Sequence, residues 1–246
     1  MRKLSIALVI VLLAASSVQA SVLLEWRAEQ RFQFTLQGEQ PNEIVSFVDR
    51  ISDYFTTASG VTEFRIHESI VAPRHVMVFI KLKDLHAHAD LANDLDFQMI
   101  AGEGDYYHQG VSMHLWTRAP WAPETIYGDP DRKGQDAAIL YIRASLNSDY
   151  AFVGPNGEQV IGWGANLVQE WADFPGVVSV SSYYLVAAGW QALFKVRFND
   201  LDAWAAFQTD EDIKASRLDM RQFFNTIETE LWEPFHRTPQ SIFPGG

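Results

Sequence analysis

The chain of 246 residues contains no cysteine. This absence excludes disulfide frameworks, thiolate-bound zinc or iron–sulfur sites and cysteine nucleophiles. Basic residues are scarce as well. The chain has 19 lysines and arginines and 31 aspartates and glutamates, which gives a net charge of −12. A surface of that sign repels a polyphosphate, so we expect no nucleic-acid partner. With 48% hydrophobic residues, the chain has enough apolar mass for one large core or two domains of about 100 residues each.

The first twenty residues have the pattern of a secretory signal. Arg2 and Lys3 precede an apolar run over 4–15, and the small residues Val18 and Ala20 suit a signal peptidase. The apolar run is shorter than the roughly 20 residues that a membrane helix needs, so we expect cleavage rather than an uncleaved anchor. Cleavage takes two of the 19 basic residues and none of the 31 acidic ones, which changes the net charge from −12 to −14. The sequence therefore predicts a periplasmic or secreted protein with no transmembrane segment after signal cleavage.

The rest of the chain is an internal repeat. A shift of 116 residues lays 23–118 on 139–234 without a gap, and 15 of the 96 pairs are identical. The segment between the two copies is rich in proline and glycine, which is typical of a linker. The predicted organisation is a signal peptide at 1–20, a first repeat at 21–118, a linker at 119–136, a second repeat at 137–236 and a tail at 237–246.

Both repeats show the same order of elements. A strand (23–27 and 139–144) precedes apolar positions at helical spacing, a hairpin follows, and then come a second helix and a last short strand. Gly60 and Gly176 fall just past the first helices, where a left-handed residue commonly ends a helix. Asp84 and Asp200 are placed to cap the second helices. The order β-α-β-β-α-β, found twice, predicts two ferredoxin-like repeats, each an antiparallel sheet with helices on one face.

Two stretches of the second repeat resemble a known superfamily. They are Phe174-Pro175-Gly176-Val177 and the segment from Phe198 to Trp204, which opens a helix. They resemble the dimeric α/β-barrel superfamily, nearest to antibiotic-biosynthesis-monooxygenase-like domains, and the resemblance covers 21–118 and 137–236. It implies an α+β fold in which two antiparallel sheets pack face to face into a barrel. Here both sheets come from one chain, which implies a monomer with pseudo-twofold symmetry.

The resemblance does not select one chemistry. The superfamily holds haem-degrading monooxygenases, chlorite dismutases, peroxidases, isomerases, cyclases and members without a known activity. Where relatives carry a haem ligand on the second helix, the positions in this chain would be His86, His88 or His108. None of these has a spacing that singles it out, so we expect no intrinsic cofactor and keep haem as an alternative.

Strand alternation predicts which side chains face away from the helices. In the third strand the apolar positions 76, 78, 80 and 82 suit the helices, which leaves Met77 and Phe79 on the other face. Other residues assigned to that second face are Glu25, Arg27, Arg65, His67, His114 and Trp116 in the first repeat, and Tyr141, Arg143, Ser181, Tyr183, Glu230 and Trp232 in the second. A face this rich in polar and aromatic groups predicts a small-molecule pocket in the barrel lumen.

Six of the seven histidines lie in the first repeat, so a duplicated pocket is expected to have specialised on one side. His114 is the candidate general base, proton shuttle or metal or haem ligand, and the alternative is a hydrogen-bonded histidine of the core or rim. Arg27 and Arg143 are candidates to stabilise an anionic intermediate. The alternative for them is pairing with Glu25 and Glu230, since buried charges need partners. We predict no metal site, because neighbouring strand residues point to opposite faces.

Two classes of function follow. The first, implied by the resemblance, is cofactor-independent oxygenation of an electron-rich aromatic substrate. His114, Arg27 and Arg143 would act on a ligand held by these residues: Trp116, Trp232, Met77, Phe79, His67, Tyr141, Tyr183 and Glu230. The second is a non-catalytic or haem-binding periplasmic carrier or sensor. A lumen that holds only paired charges would favour a structural role instead.

Overall fold

The computed structural model describes residues 21–31, 42–72, 74–119, 125–128, 131, 136–147, 155–185 and 191–235. The predicted signal peptide, the predicted tail and most of the predicted linker lie outside these residues. The described part contains nine strands and six helices and divides into two compact units. Residues of the first unit fall within 1–66 and 74–117, and those of the second within 67–73 and 118–240. No helix among the described residues is long and apolar enough to cross a membrane.

The first unit has the predicted order of elements. They are β1 (Val22–Gln30), α1 (Asn42–Thr57), β2 (Val61–Ser69), β3 (His75–Leu82), α2 (Leu85–Asn93), α3 (Leu95–Tyr107) and β4 (His108–Arg118). The strand order is β4-β1-β3-β2, and β1 is antiparallel to both β3 and β4. This is the order of a ferredoxin-like sheet, as the sequence predicted.

The second unit repeats the plan with one addition. Its elements are β5 (Thr125–Tyr127), β6 (Ala138–Leu146), α4 (Pro155–Ala172), β7 (Val177–Leu185), β8 (Gln191–Phe198), α5 (Leu201–Thr209), α6 (Glu211–Phe223) and β9 (Phe224–Pro234). The strand order β9-β6-β8-β7 again has the ferredoxin-like pattern, and β5 pairs with β7. The sequence did not predict β5, which lies inside the segment interpreted as a linker. The last residues of β2, from His67 to Ser69, belong to this unit and pair with β9.

The single second helix that the sequence predicted is two helices in each unit. Asp94 and Asp210 have extended backbone angles, and each ends one helix and caps the next. The Asp94 carboxylate accepts the N–H of Phe97 at 2.9 Å, and that of Asp210 accepts the N–H of Ile213 at 3.0 Å. Such side-chain acceptors satisfy N–H groups that the first turn of a helix leaves unpaired. The predicted caps at Asp84 and Asp200 are confirmed, because each accepts the N–H three residues later.

The core of the second unit lies between the sheet and the helices. The even-numbered positions of β6 and β8, among them Ile142 and Phe194, pack there with Leu167 and Trp171 of α4. All of these side chains are buried. The alternation that assigned one strand face to the helices is therefore confirmed in this unit.

Two glycines of the second unit give a matched test of local backbone strain. Gly176 has φ +86°, and a Cβ there would lie 2.4 Å from the Cβ of Ala203, whereas a Cβ on Gly162 inside α4 would meet nothing within 4 Å. Gly162→Ala should raise the free energy of unfolding by about 0.5–1 kcal/mol. Gly176→Ala should lower it by more than about 1 kcal/mol. Urea unfolding of both variants measures this, and a Gly176→Ala protein as stable as the wild type would contradict the assignment.

Candidate functional site

The first unit contains an apolar cavity of about 260 Å³ between its sheet and its helices. The sheet contributes Trp26, Ala28, Val76, Val78, Val111 and Met113, α1 contributes Phe47 and Ile51, and the remaining lining residues are Ile100, Ala101, Gly102, Gly104, Asp105 and His108. The strand positions belong to the face that alternation assigned to the helices. The cavity therefore lies on the opposite face of the sheet from the ligand site that the sequence predicted.

At three positions of this layer the first repeat has smaller side chains than the second. Val78, Gly104 and His108 correspond to Phe194, Met220 and Phe224 under the shift of 116 residues. These three larger side chains are buried in the second unit, where the rings of Phe194 and Phe224 meet edge to face with centroids 6.2 Å apart. Protein interiors are close-packed, so a loss of side-chain volume at facing positions leaves space.

Trp26 is one of the lining residues of the cavity. Its ring lies 5.3 Å from that of Phe97, centroid to centroid. Its indole Nε1 is buried, and within the described residues no acceptor lies in hydrogen-bonding range. Because a buried donor without an acceptor costs about 1–3 kcal/mol, such groups are rare in native proteins. With almost no accessible surface, this N–H is not open to the space of the cavity.

His108 is another lining residue of the cavity. Its Nδ1 lies 3.0 Å from the carbonyl oxygen of Gly104. A carbonyl only accepts, so Nδ1 carries the proton and Nε2 of the neutral ring has a free lone pair. Burial lowers the pKa of His108 below its usual value of 6.5, against smaller opposing effects of the Gly104 carbonyl and Asp105. At neutral pH His108 is thus an unprotonated base.

The predicted residues of the first unit gather around Glu25, which is fully buried. Arg27 Nε lies 2.5 Å from one carboxylate oxygen of Glu25, and Trp116 Nε1 donates to the other at 2.6 Å. His114 lies opposite Glu25 on β4, and its ring centroid is 6.1 Å from that of Trp116. Both oxygens of the carboxylate therefore have partners, which is the paired arrangement that the sequence left as the alternative for Arg27.

On β3 the predicted residues are Met77 and Phe79. Both are buried, and they lie opposite Arg27 and Glu25 in the antiparallel ladder. They supply the apolar surroundings of the carboxylate network.

The second unit carries a related network with the carboxylate on a different strand. Tyr141 and Glu230 form the cross-strand pair that corresponds to Glu25 and His114. Trp232 Nε1 donates to Glu230 at 3.3 Å. A tryptophan bound to a glutamate is therefore common to both units, although the glutamate lies on the first strand of one repeat and on the last strand of the other.

The other predicted residues of the second unit lie near Tyr141 or elsewhere on its strands. The Tyr141 hydroxyl is 3.4 Å from Nδ1 of the buried His67, and the Lys195 ammonium lies 5.8 Å from the Tyr141 ring centroid. Tyr183 is buried on β7. Arg143 is half-buried opposite Glu228 and lines a small cleft of about 130 Å³.

Haem does not fit the cavity of the first unit. A porphyrin is larger than about 260 Å³, and the described lining residues include no arginine or lysine to pair with its propionates. Of the three histidines that the resemblance suggested, only His108 lines the cavity. Among the described residues no three histidine, aspartate or glutamate side chains come together as metal ligands.

Strand alternation did not predict the cavity, although the aligned repeats contained a signal. The same shift that revealed the duplication pairs Val78 with Phe194 and Gly104 with Met220. At both positions the first repeat has the smaller side chain, although Trp26 is larger than its counterpart Ile142. His108 was named only as a haem alternative.

Trp116→Phe should destabilise the protein by about 1–3 kcal/mol, because Glu25 would lose the indole partner of a buried carboxylate oxygen. Trp232→Phe is the matched control, since its bond to Glu230 is longer and only partly buried, and it should cost less. Urea unfolding at neutral pH measures both values. Equal losses in the two variants would contradict the role assigned to Trp116.

His108 should make stability fall as the pH falls. Its pKa is lower in the folded chain than in the unfolded chain, so protons bind the unfolded state more tightly. The contribution is fully present above the unfolded pKa of about 6.5 and is lost as the pH falls from there toward the folded pKa. Thermal unfolding at several pH values should show a smaller loss in His108→Leu than in the wild type. Parallel curves would contradict this.

No protein-family model and no curated protein sequence matches the chain. Solved structures do match. A monooxygenase candidate from Fusobacterium nucleatum covers 87% of this chain and 92% of its own, with 8% identity and a TM-score of 0.65. One from Lactobacillus acidophilus covers 89% and 95%, with 7% identity and a TM-score of 0.64. An anthrone oxidase-like protein covers 93% and 94%, with 12% identity and a TM-score of 0.62.

At these identities the likeness shows the fold alone. The matches extend over nearly the whole of both chains, so they include both repeats. The chain shares the fold of these structures, and its own element order is ferredoxin-like α+β, as the sequence predicted.

Proposed function

We propose that the protein binds a small, largely apolar organic molecule in the cavity of the first unit and oxidises it as a cofactor-independent, monooxygenase-like enzyme. The observation that carries the proposal is the cavity itself, which combines apolar walls with the neutral His108. Ligand sites are typically apolar clefts with a few placed polar groups. A volume of about 260 Å³ lies just below the usual range of about 300–1,000 Å³, which suits a small ligand.

The reaction class rests on the structural neighbours and on His108. Two neighbours are monooxygenase candidates and a third is anthrone oxidase-like. An unprotonated imidazole within reach of a bound molecule is a general base. In the proposed reaction, Nε2 of His108 takes a proton from an activated CH₂ group, and dioxygen accepts the electrons of the resulting carbanion.

The atoms of this reaction balance without a further reductant. Both C–H bonds of the CH₂ group break and a C=O bond forms. One oxygen atom of dioxygen enters the carbonyl group, and the other leaves as water with the two hydrogens.

Two expectations from the sequence stay predictions: the ligand site on the sheet face away from the helices, and export. The proposed roles of His114, Arg27 and Arg143 as catalytic residues require a ligand on the other face of the sheets. Export rests on 1–20 alone, and N-terminal sequencing of protein from its own host would show whether cleavage follows Ala20.

The test fills the cavity with the side chains of the second repeat. Gly104→Met and Val78→Phe place there what Met220 and Phe194 place in the second unit. Each should weaken binding of the neutral fluorescent probe 1-aminoanthracene at least about tenfold, because the probe would lose its space. Gly162→Ala, in a helix of the other unit, is the control and should bind normally. Wild-type and filled proteins that bind alike, or do not bind at all, would overturn the proposal.

Oxygenase chemistry is tested separately with anthrone as the probe. Dioxygen uptake above the uncatalysed rate, with anthraquinone as the product, should occur in the wild type and fall in Gly104→Met and His108→Leu. Binding of 1-aminoanthracene without such uptake from anthrone would instead favour the carrier or sensor function.

A further inference from the structure

We infer that the ligand of the first-unit cavity is a cationic amphiphile, whose apolar part lies inside the cavity and whose ammonium or other cationic group lies at an opening beside Asp105. The inference rests on the proposed function, since it names the class of molecule that the cavity holds. Three features carry it: the place where the cavity opens, the charge at that opening, and the residues at the corresponding positions of the second unit.

The lining residues of the cavity range from buried to exposed. Phe47, Ile51 and Val76 have exposed fractions of 4%, 6% and 5%. Val111 and Met113 of β4 line the same cavity, yet their exposed fractions are 48% and 63%. A lining residue that is largely exposed marks the place where a cavity reaches solvent. The cavity therefore opens beside β4.

The helix α3 provides the other side of the opening. Its exposed lining residues are Gly102 and Asp105. They lie three residues apart and are therefore neighbours on the helix surface. A Cβ on Gly102 would meet nothing within 4 Å, so the space beside it is open. We call Gly102, Asp105, Val111 and Met113 the rim.

Asp105 is the charged residue of the rim. Within the described residues it forms no ion pair, whereas Glu103 of the same helix pairs with Arg50 of α1. Burial lowers the pKa of His108 and the charge of Asp105 partly opposes this, which places the carboxylate near another lining residue. An exposed carboxylate attracts a cation and repels an anion, and both effects are weak because water screens them.

The interior of the cavity suits the apolar part of the ligand. Inside the rim the lining is apolar apart from His108 and the backbone. An ion drawn in there would lose its hydration without gaining a partner. At the rim, by contrast, a cationic group stays hydrated and is still attracted by Asp105. Each methylene group that leaves water inside the cavity should raise the affinity about fourfold.

The second unit has the opposite charge at the position of Asp105. Under the shift of 116 residues Asp105 corresponds to Arg221, which is also exposed. The layer beneath Arg221 is filled, because Met220 and Phe224 are buried. The acidic rim therefore occurs in the unit that has the cavity, and we expect one ligand molecule for each chain, bound in the first unit.

The experiment compares three compounds of equal chain length as competitors of 1-aminoanthracene at neutral pH and low salt. They are octylamine, which is protonated at neutral pH, octan-1-ol and octanoate. Octylammonium should bind the wild type about threefold more tightly than octan-1-ol, and octanoate about threefold more weakly. Added salt should reduce both differences, because it screens the charge at the rim.

Two substitutions of Asp105 assign these differences to the rim. Asp105→Asn should remove most of both differences and leave the affinity for octan-1-ol unchanged. Asp105→Arg installs the residue of the second repeat and should reverse the order, so that octanoate binds more tightly than octylammonium. Asp90→Asn is the matched control, since it changes the net charge equally at an exposed position of α2 that does not line the cavity. It should keep the wild-type order.

The outcomes separate this inference from the proposed function. The inference alone is overturned if octanoate binds the wild type as tightly as octylammonium, or if Asp105→Asn changes the order no more than Asp90→Asn does. It is also overturned if none of the three compounds competes with bound 1-aminoanthracene. If 1-aminoanthracene itself does not bind, or binds Gly104→Met as well as the wild type, the proposed function fails and the inference fails with it.

Discussion

The volume of the side chains between the sheet and the helices decides whether that layer is filled or contains a cavity. Both units have the same strand order and the same pair of capped helices. In the second unit Phe194, Met220 and Phe224 fill that layer, and in the first unit Val78, Gly104 and His108 leave a cavity. Because interiors pack at nearly crystalline density, smaller side chains at facing positions leave space.

Two lining positions of the first unit differ from their counterparts in polarity. Where the second unit has Ile142 and Phe224, the first has Trp26 and His108. Burial lowers the pKa of His108, so the lining includes an imidazole that is neutral at neutral pH.

Local signals predicted most of the fold. Helical and strand periodicity, the positive-φ glycines at 60 and 176 and the aspartate caps at 84 and 200 each act within a few residues, so the sequence alone reveals them. The break of the second helix at Asp94 and Asp210 was missed because neither proline nor glycine marks it. The short strand β5 was missed because only its pairing with β7 makes it a strand.

The site was harder to predict than the fold, for a physical reason. Polarity and alternation identified the second face correctly as rich in ionisable groups, but polarity does not distinguish a ligand site from an internal network. Glu25 shows the difference, since Arg27 and Trp116 already occupy both of its oxygens. A cavity is an absence of atoms, and only three-dimensional packing or a comparison of the two repeats makes it visible.

The most direct test of this account is a crystal structure of the protein with 1-aminoanthracene bound. The account predicts one molecule in each chain, in the first unit, between α1, α3 and the sheet and in contact with Trp26. Density for the probe beside Glu25, His114 or Tyr141 on the other face, or in the layer that Phe194 and Phe224 fill, would contradict it.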